Sequence, residues 1–313
     1  MRTFAETSLN VRLTGKKWKQ ATLPTNCGGL GLRTAPSLAL SSFLAACASS
    51  SHLAEELCLG APDTDKPRAL QNWSAAANGA NPPAGAEALK SAKWSDPLMK
   101  LECESLLDGA TPRDAARLNY ASTHESATFF SSTPSTREGT RFSDSVLSCA
   151  IGLRLGAEVA ALSVCECGAE LDTCGDHALC CHRGSGKHVR HAEVNARIKR
   201  ALADAGVAST LEPVGLDVAN GKRPDGTTVL PFARGREMAW YATICHTCAP
   251  TYIPAAAATP RAAAETAEGK KLLKYTSIAD RVDFPAVGLE TLGAFGPSAR
   301  ALLDEIAMKI RER

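Results

Sequence analysis

The stretch "CECGAELDTCGDHALCC", from Cys165 to Cys181, constrains the fold more than any other part of the chain. Five of the twelve cysteines lie inside it, together with His177. Thiolate and imidazole groups crowded into one short segment are what a tetrahedral zinc site requires, and they select zinc over magnesium or calcium. The chain must turn back on itself there for such ligands to converge. The set that fits best is Cys165, Cys167, His177 and Cys181, with Cys174 and Cys180 as spares and the choice between Cys180 and Cys181 left open. A Cys-x-Cys opening is less usual than Cys-x-x-Cys, and the competing explanation is free thiols packed in a reduced core. A second group, Cys245, His246 and Cys248, looks like half a zinc site. Strand alternation would put Cys245 and His246 on opposite faces, and no fourth ligand lies nearby in sequence.

Redox compartment decides how twelve cysteines are read, since a secreted chain would pair them and an intracellular one would use them for metal. The N-terminal "MRTFAETSLNVRLTGKKWKQ" lacks the apolar run of a secretory signal, and no later stretch reaches the roughly 20 apolar residues of a membrane span. We therefore expect an intracellular, soluble protein with no membrane partner. The formal net charge is only +2, so a nucleic-acid surface has to be a local concentration of cations.

That concentration lies just after the cysteines. From His182 to Arg200 the chain reads "HRGSGKHVRHAEVNARIKR", with Arg183, Lys187, Arg190, Arg197, Lys199 and Arg200 against a single acid, Glu193. A glycine-softened loop running into a helix start rich in cations suits phosphate backbones, because both the cations and the first amide groups attract anions. "GSGK" is not a P-loop, since His188 stands where a hydroxyl residue is needed. "GGLGLR" near residue 30 also lacks the spacing of a phosphate loop and reads as a turn feeding a core helix.

The remaining order is helical at first and mixed later. Short helices are expected at about 97–107 and 111–120, and Ser143 or Asp144 caps a further one. After a helix at about 188–205, strands are expected at 208–213, 227–231 and 238–245. A long helix over 261–280, a strand over 284–290 and a last helix from Pro297 follow. The fold class is α/β: a mostly helical N-terminal region, the cysteine element, then helix, three strands, helix and strand. Composition suggests segments at 1–60, 61–140, 141–187 and 188–313.

Asp225, in "GKRPDG", lies between two of these strands, where a carboxylate can point from the sheet toward a metal. Phosphodiester hydrolysis needs carboxylates to hold magnesium or manganese and a lysine to orient water and offset charge. "EGKKLLKY" offers Lys270, Lys271 and Lys274.

The segments "GLRLG", "CECGAELDTCGDHALCC", "RHAEVN", "EPVGL", "GKRPDG", "GREMAWYAT", "KLLKY" and "ETLG", spread over 141–313, together resemble the C-terminal region of non-long-terminal-repeat retrotransposon polyproteins. "LPTNCGGLGLR" resembles the segment after their polymerase core. The resemblance implies a zinc-knuckle-like element followed by a restriction-endonuclease-like domain of the PD-(D/E)XK type, with an αβββαβ core, that nicks DNA and acts in the nucleus. By position it makes Cys165, Cys167, His177 and Cys181 the zinc ligands, and Arg190, His191 and Asn195 the basic helix motif. It makes Asp225 the first metal carboxylate and Lys271 or Lys274 the catalytic lysine, with DNA and element RNA as partners and no small-molecule substrate. No Asp-Asp polymerase motif occurs. The chain departs from the pattern at Tyr241, where relatives carry Asp after the tryptophan, and at His246, where they carry a second Asp. A neutral tyrosine removes one negative metal ligand, so we expect nicking to be weak or lost unless Glu193 or Glu212 supplies the charge. The alternatives are a zinc-dependent nucleic-acid-binding module without cleavage and a decayed element copy.

Overall fold

The computed structural model describes residues 1–57, 65–215, 223–276 and 281–313. They form a mixed α/β structure that divides into two compact units, 13–110 and 1–12 with 111–313. The packing divides at 110, inside the 61–140 segment that composition suggested. Among the described residues no helix is long and apolar enough to cross a membrane.

The 13–110 unit is helical, with α2 at Gly15–Thr22, α3 at Ala35–Glu56, α4 at Asp65–Ala76 and α5 at Ser91–Leu107. Its core holds Leu44, Ala45, Ala69, Trp73, Ala77 and Trp94. Trp73 and Trp94 meet edge to face with centroids 5.2 Å apart. Both indole N–H groups are satisfied, Trp73 donating to the Trp94 carbonyl and Trp94 to that of Ala88, as buried tryptophans require.

The other unit begins with α1 at Arg2–Leu9 and resumes with α6 at Pro112–Ala121, α7 at His124–Ser131 and α8 at Asp144–Leu155. Thr111 caps α6 by accepting from the Asp114 N–H, and Pro112 takes the first helical position, where its missing N–H costs nothing. Ser143 caps α8 as expected. Among the apolar residues of that helix Ile151 and Leu155 are buried, whereas Val146 is half exposed.

A two-stranded antiparallel hairpin, β1 at Ser163–Val164 and β2 at Glu170–Leu171, leads to the short helix α9 at Asp176–Cys180 and the long helix α10 at Ser185–Asp204. A four-stranded sheet follows, with β3 at Ser209–Leu211, β4 at Gly226–Thr228, β5 at Ala239–Cys245 and β6 at Ala286–Glu290, in that spatial order. The first three are antiparallel, and β5 and β6 run parallel. The parallel pair needs a crossover, and α11 at Ile253–Ala258 and α12 at Ala262–Lys274 provide it. Periodicity suggested one helix over 261–280; the structure ends it at Lys274, and 277–280 lie outside the described residues. The last helix, α13, spans Pro297–Arg311.

One face of the sheet packs Met238, Trp240 and Val287 against Ile198 and Leu202 of α10 and Leu302 and Ile306 of α13. Trp240 lies across β4 so closely that a Cβ on Gly226 would sit 2.0 Å from its ring. Glycine is thus the residue that fits that position. On the other side, small alanines of α12, Ala263 and Ala267, allow the crossover to approach Cys245. This stacking fixes the start of β4, where Asp225 lies, against the middle of β5.

Candidate metal centre and cleft

The cysteine segment builds its site with local turns. Cys165 and Cys167 lie in the tip of the β1–β2 hairpin, which closes with Gly168 at a φ of 88° and the Gly168 N–H donating to the Cys165 carbonyl. The Asp172 carboxylate then accepts the N–H groups of Asp176 and His177, fixing the start of α9 and the backbone that carries His177. Cys181 follows directly after α9, its N–H bonded to the His177 carbonyl.

The result brings Cys165, Cys167, His177 and Cys181 together, with all four ligand atoms within 4.8 Å of one another. Cys165 Sγ and Cys181 Sγ are 3.6 Å apart, and Cys167 Sγ and His177 Nε2 are 3.2 Å apart. Ligands at zinc bond lengths on a tetrahedron stand about 3.3–3.8 Å from one another, so the cage has the size to hold a metal ion. The Cys181 thiol is lowered to about 7 by the Arg183 N–H and by Cys165, Cys167 and His177 around it, and the thiolate is the ligating form. Between the two candidates for the fourth ligand, the geometry selects Cys181. Cys180 faces elsewhere, its Sγ bonded to the His177 carbonyl.

Three contacts fasten this knuckle to the rest of its unit. Asp176 Oδ1 meets His246 Nε2 at 3.0 Å, Asp176 Oδ2 accepts from Arg113 Nε of α6, and Arg190 of α10 donates to the Leu179 carbonyl at 2.8 Å. Burial pushes the Asp176 carboxyl up, but the bonds from His246 and Arg113 outweigh it and hold the group below the usual range. Thr291 Oγ1 lies 2.7 Å from His246 Nδ1, so both ring nitrogens are engaged. The group seen in sequence as Cys245, His246 and Cys248 is therefore completed differently. His246 and Cys248 approach Asp176 rather than Cys245, and the Cys248 thiol is pushed up to about 12, chiefly by burial. Arg113 and Asp176 escaped sequence reasoning because no local pattern links positions 63 residues apart.

Beside the knuckle, a cleft of about 590 Å³ is lined by Leu179 and Cys180, by Lys187, His188 and His191 of α10, by β5 from Ala242 onward, and by Lys271 of α12. Asp225 stands next to it. Its Oδ2 accepts from the Ala242 N–H at 2.7 Å and contacts His191 Nε2 at 3.0 Å. Behind His191 the network continues, Asn195 Nδ2 lying 3.4 Å from Nδ1 and Asn195 Oδ1 accepting from the Trp240 indole at 3.0 Å. The Asp225 bond raises the pKa of His191, against burial and Lys271. Protonation of Nδ1 would give up the Asn195 bond, but a neutral 3.4 Å contact is weaker than the charge-assisted one to Asp225. Lys271 is shifted the other way, lowered by burial and by Lys274 and Lys187, with Asp225 opposing.

Tyr241 occupies the next position on β5. Its ring stacks on Tyr275 at 4.2 Å and carries Lys271 Nζ 4.5 Å from its centroid. Burial and the neighbouring Tyr275 hydroxyl raise its pKa, so the phenol is neutral. Lys274 Nζ lies over Tyr275.

Not every expected site residue reaches the cleft. Glu193 pairs with Arg197 one helical turn away at 2.8 Å and is exposed, and Glu212 pairs with Arg223. Neither is among the cleft residues, and Glu212 meets Asp225 only through its backbone N–H, which donates to the Asp225 carbonyl at 2.9 Å, while its side chain turns to Arg223. Neither side chain supplies a second carboxylate beside that of Asp225. Asn195 is buried, 6% exposed, and supports His191 from behind instead of facing a ligand. Arg190 is tied to the knuckle, and Arg183, exposed, donates to the Glu166 carbonyl. Lys187 and His191 line the cleft, and Lys199 is exposed further along α10. No protein-family model and no curated protein sequence matches this chain.

Proposed function

We propose that the 111–313 unit is a restriction-endonuclease-like domain derived from a retrotransposon polyprotein, which binds nucleic acid through phosphates and nicks DNA weakly or not at all. Zinc fills the Cys165, Cys167, His177 and Cys181 cage, and the knuckle forms one wall of the binding cleft. The order α10, β3, β4, β5, α11, α12, β6 follows the αβββαβ pattern with the crossover helix preceded by the short α11, and this supports the reading, as does the placement of Asp225 and Lys271 beside one cleft.

The observation that carries the proposal is the environment of Asp225. Its carboxylate has His191 and Lys271 as charged or titratable neighbours, with Lys187 beside Lys271, and the adjoining β5 position holds the neutral ring of Tyr241. One carboxylate among several cations attracts phosphate but neutralises a divalent ion poorly, since magnesium sites of this kind use more than one acidic group. Binding survives under those conditions and cleavage does not.

The test is plasmid nicking in magnesium or manganese by the parent, Asp225→Ala and Tyr241→Asp. The parent is expected to nick no faster than Asp225→Ala, while Tyr241→Asp gains metal-dependent cleavage. Robust parent activity lost in Asp225→Ala would show a complete active site and overturn the loss of nicking. Charge reversal at Lys187 that leaves DNA affinity and its salt dependence unchanged would overturn the binding surface.

A further inference from the structure

The lining of the cleft falls into two chemical kinds. Lys187, His191 and Lys271 are cationic or become so, whereas Leu179, Ile244 and Tyr252 are apolar or aromatic. The cations are crowded: burial and two neighbouring lysines disfavour the Lys271 ammonium, and Asp225 alone favours it. An anion in the cleft relieves that crowding. A double helix satisfies only half of this surface, because it offers phosphates outside while its bases stay stacked within. The apolar lining would then remain hydrated. Size points the same way: 590 Å³ lies within the range that small ligands fill, about 300–1,000 Å³. A duplex whose major groove alone is about 12 Å wide does not enter such a space.

We propose that the cleft accepts one unstacked nucleotide of a single-stranded DNA segment, its phosphate against Lys187, His191 and Lys271 and its base against Leu179, Ile244 and Tyr252. This rests on the nucleic-acid reading above and narrows it to an unpaired strand. The phosphate supplies the long-range attraction, and removal of the base from water supplies the preference for single strands. Thr251 and Pro250 stand exposed at the rim, in the turn between β5 and α11. They can be altered without disturbing the core.

The experiment is fluorescence anisotropy on the full, zinc-supplemented chain with a labelled oligothymidylate and with the same strand paired to oligoadenylate. Thymidine monophosphate and inorganic phosphate serve as competitors. The single strand is expected to bind about tenfold tighter than the duplex, in line with the worth of one base contact. Thymidine monophosphate should compete better than phosphate. Thr251→Trp, which fills the mouth, should remove the preference while leaving duplex affinity unchanged, and Lys271→Met should weaken both forms. Pro250→Ser serves as a second rim variant and should reduce the preference without blocking entry. Equal affinity for the two forms, unaffected by Thr251→Trp but lost in Lys271→Met, would overturn this inference and leave the phosphate-binding surface intact. Failure to bind either form at low salt would overturn the nucleic-acid reading itself.

Discussion

His191 and Asp225 form the pair on which the cleft's charge turns. The carboxylate raises the histidine's pKa above its ordinary value of 6.5, so the folded chain holds that proton more tightly than the unfolded one. The pair's contribution to stability is therefore fully present below pH about 6.5 and fades as pH rises through the elevated pKa. In metal-free protein, the stability difference between the parent and Asp225→Asn should shrink between acid and alkaline pH in thermal melts, and the His191 ring should titrate lower in Asp225→Asn by NMR. Gly226 makes a second test at this scale. A Cβ there would overlap the buried Trp240 ring, and Gly226→Ala should cost about 3 kcal/mol in denaturant unfolding, at the upper end of ordinary overpacking.

At the scale of elements, two buried carboxylates tie helices to the sheet. Glu268, on α12 and 2% exposed, accepts the N–H groups of Gly288 on β6 and of Ser298 and Ala299 in the first turn of α13. Glu290, at the end of β6, accepts from the Thr247 hydroxyl and from the Ala264 N–H in the first turn of α12. Burial raises both pKa values, and the amide donors make the burial tolerable. Glu268→Ala strands three amide donors, two of them buried, and should cost about 3 kcal/mol by chemical denaturation, against about 1 kcal/mol for Thr111→Ala at the surface cap of α6. The cap at Ser143 and the start of a helix near Thr111 were legible in sequence because capping is a local act. The strands of the four-stranded sheet were legible too, since alternation and breakers mark them, but the two-residue strands β1 and β2 were not, being too short to show a period. Neither buried carboxylate was, because its partners lie 20 or more residues away and leave no period in the chain. The candidate site shows the same division. Three of the four cage residues, Cys165, Cys167 and His177, were readable from spacing and the fourth only as Cys180 or Cys181, whereas Asn195 read as a surface contact only because nothing in sequence places Trp240 behind it. Glu193 had its local partner in view, Arg197 four residues on, a spacing that itself favours an ion pair along the helix over a reach to a metal.

The molecule as a whole consists of a unit with its own tryptophan core and a unit in which a Cys/His cage that could hold a metal ion adjoins the cleft. Metal removal should therefore act unevenly. A chelator should expose new protease sites between about residues 160 and 190 while 13–110 persists as a resistant fragment, because zinc binding energy is folding energy only where its ligands are. His177→Ala should reproduce that pattern without chelator and lower zinc content from about one equivalent, measured by atomic absorption. Equal loss of both units would show that the cage supports more than its own surroundings.

The two buried carboxylates also have a consequence in time. Each of α12, β6 and α13 is held by a side chain or amide belonging to another, so opening one breaks the bonds that hold the next. Amide protons of Ala264, Gly288, Ser298 and Ala299 should then exchange with deuterium at a common rate, set by one cooperative opening and not by the fraying of separate helix ends.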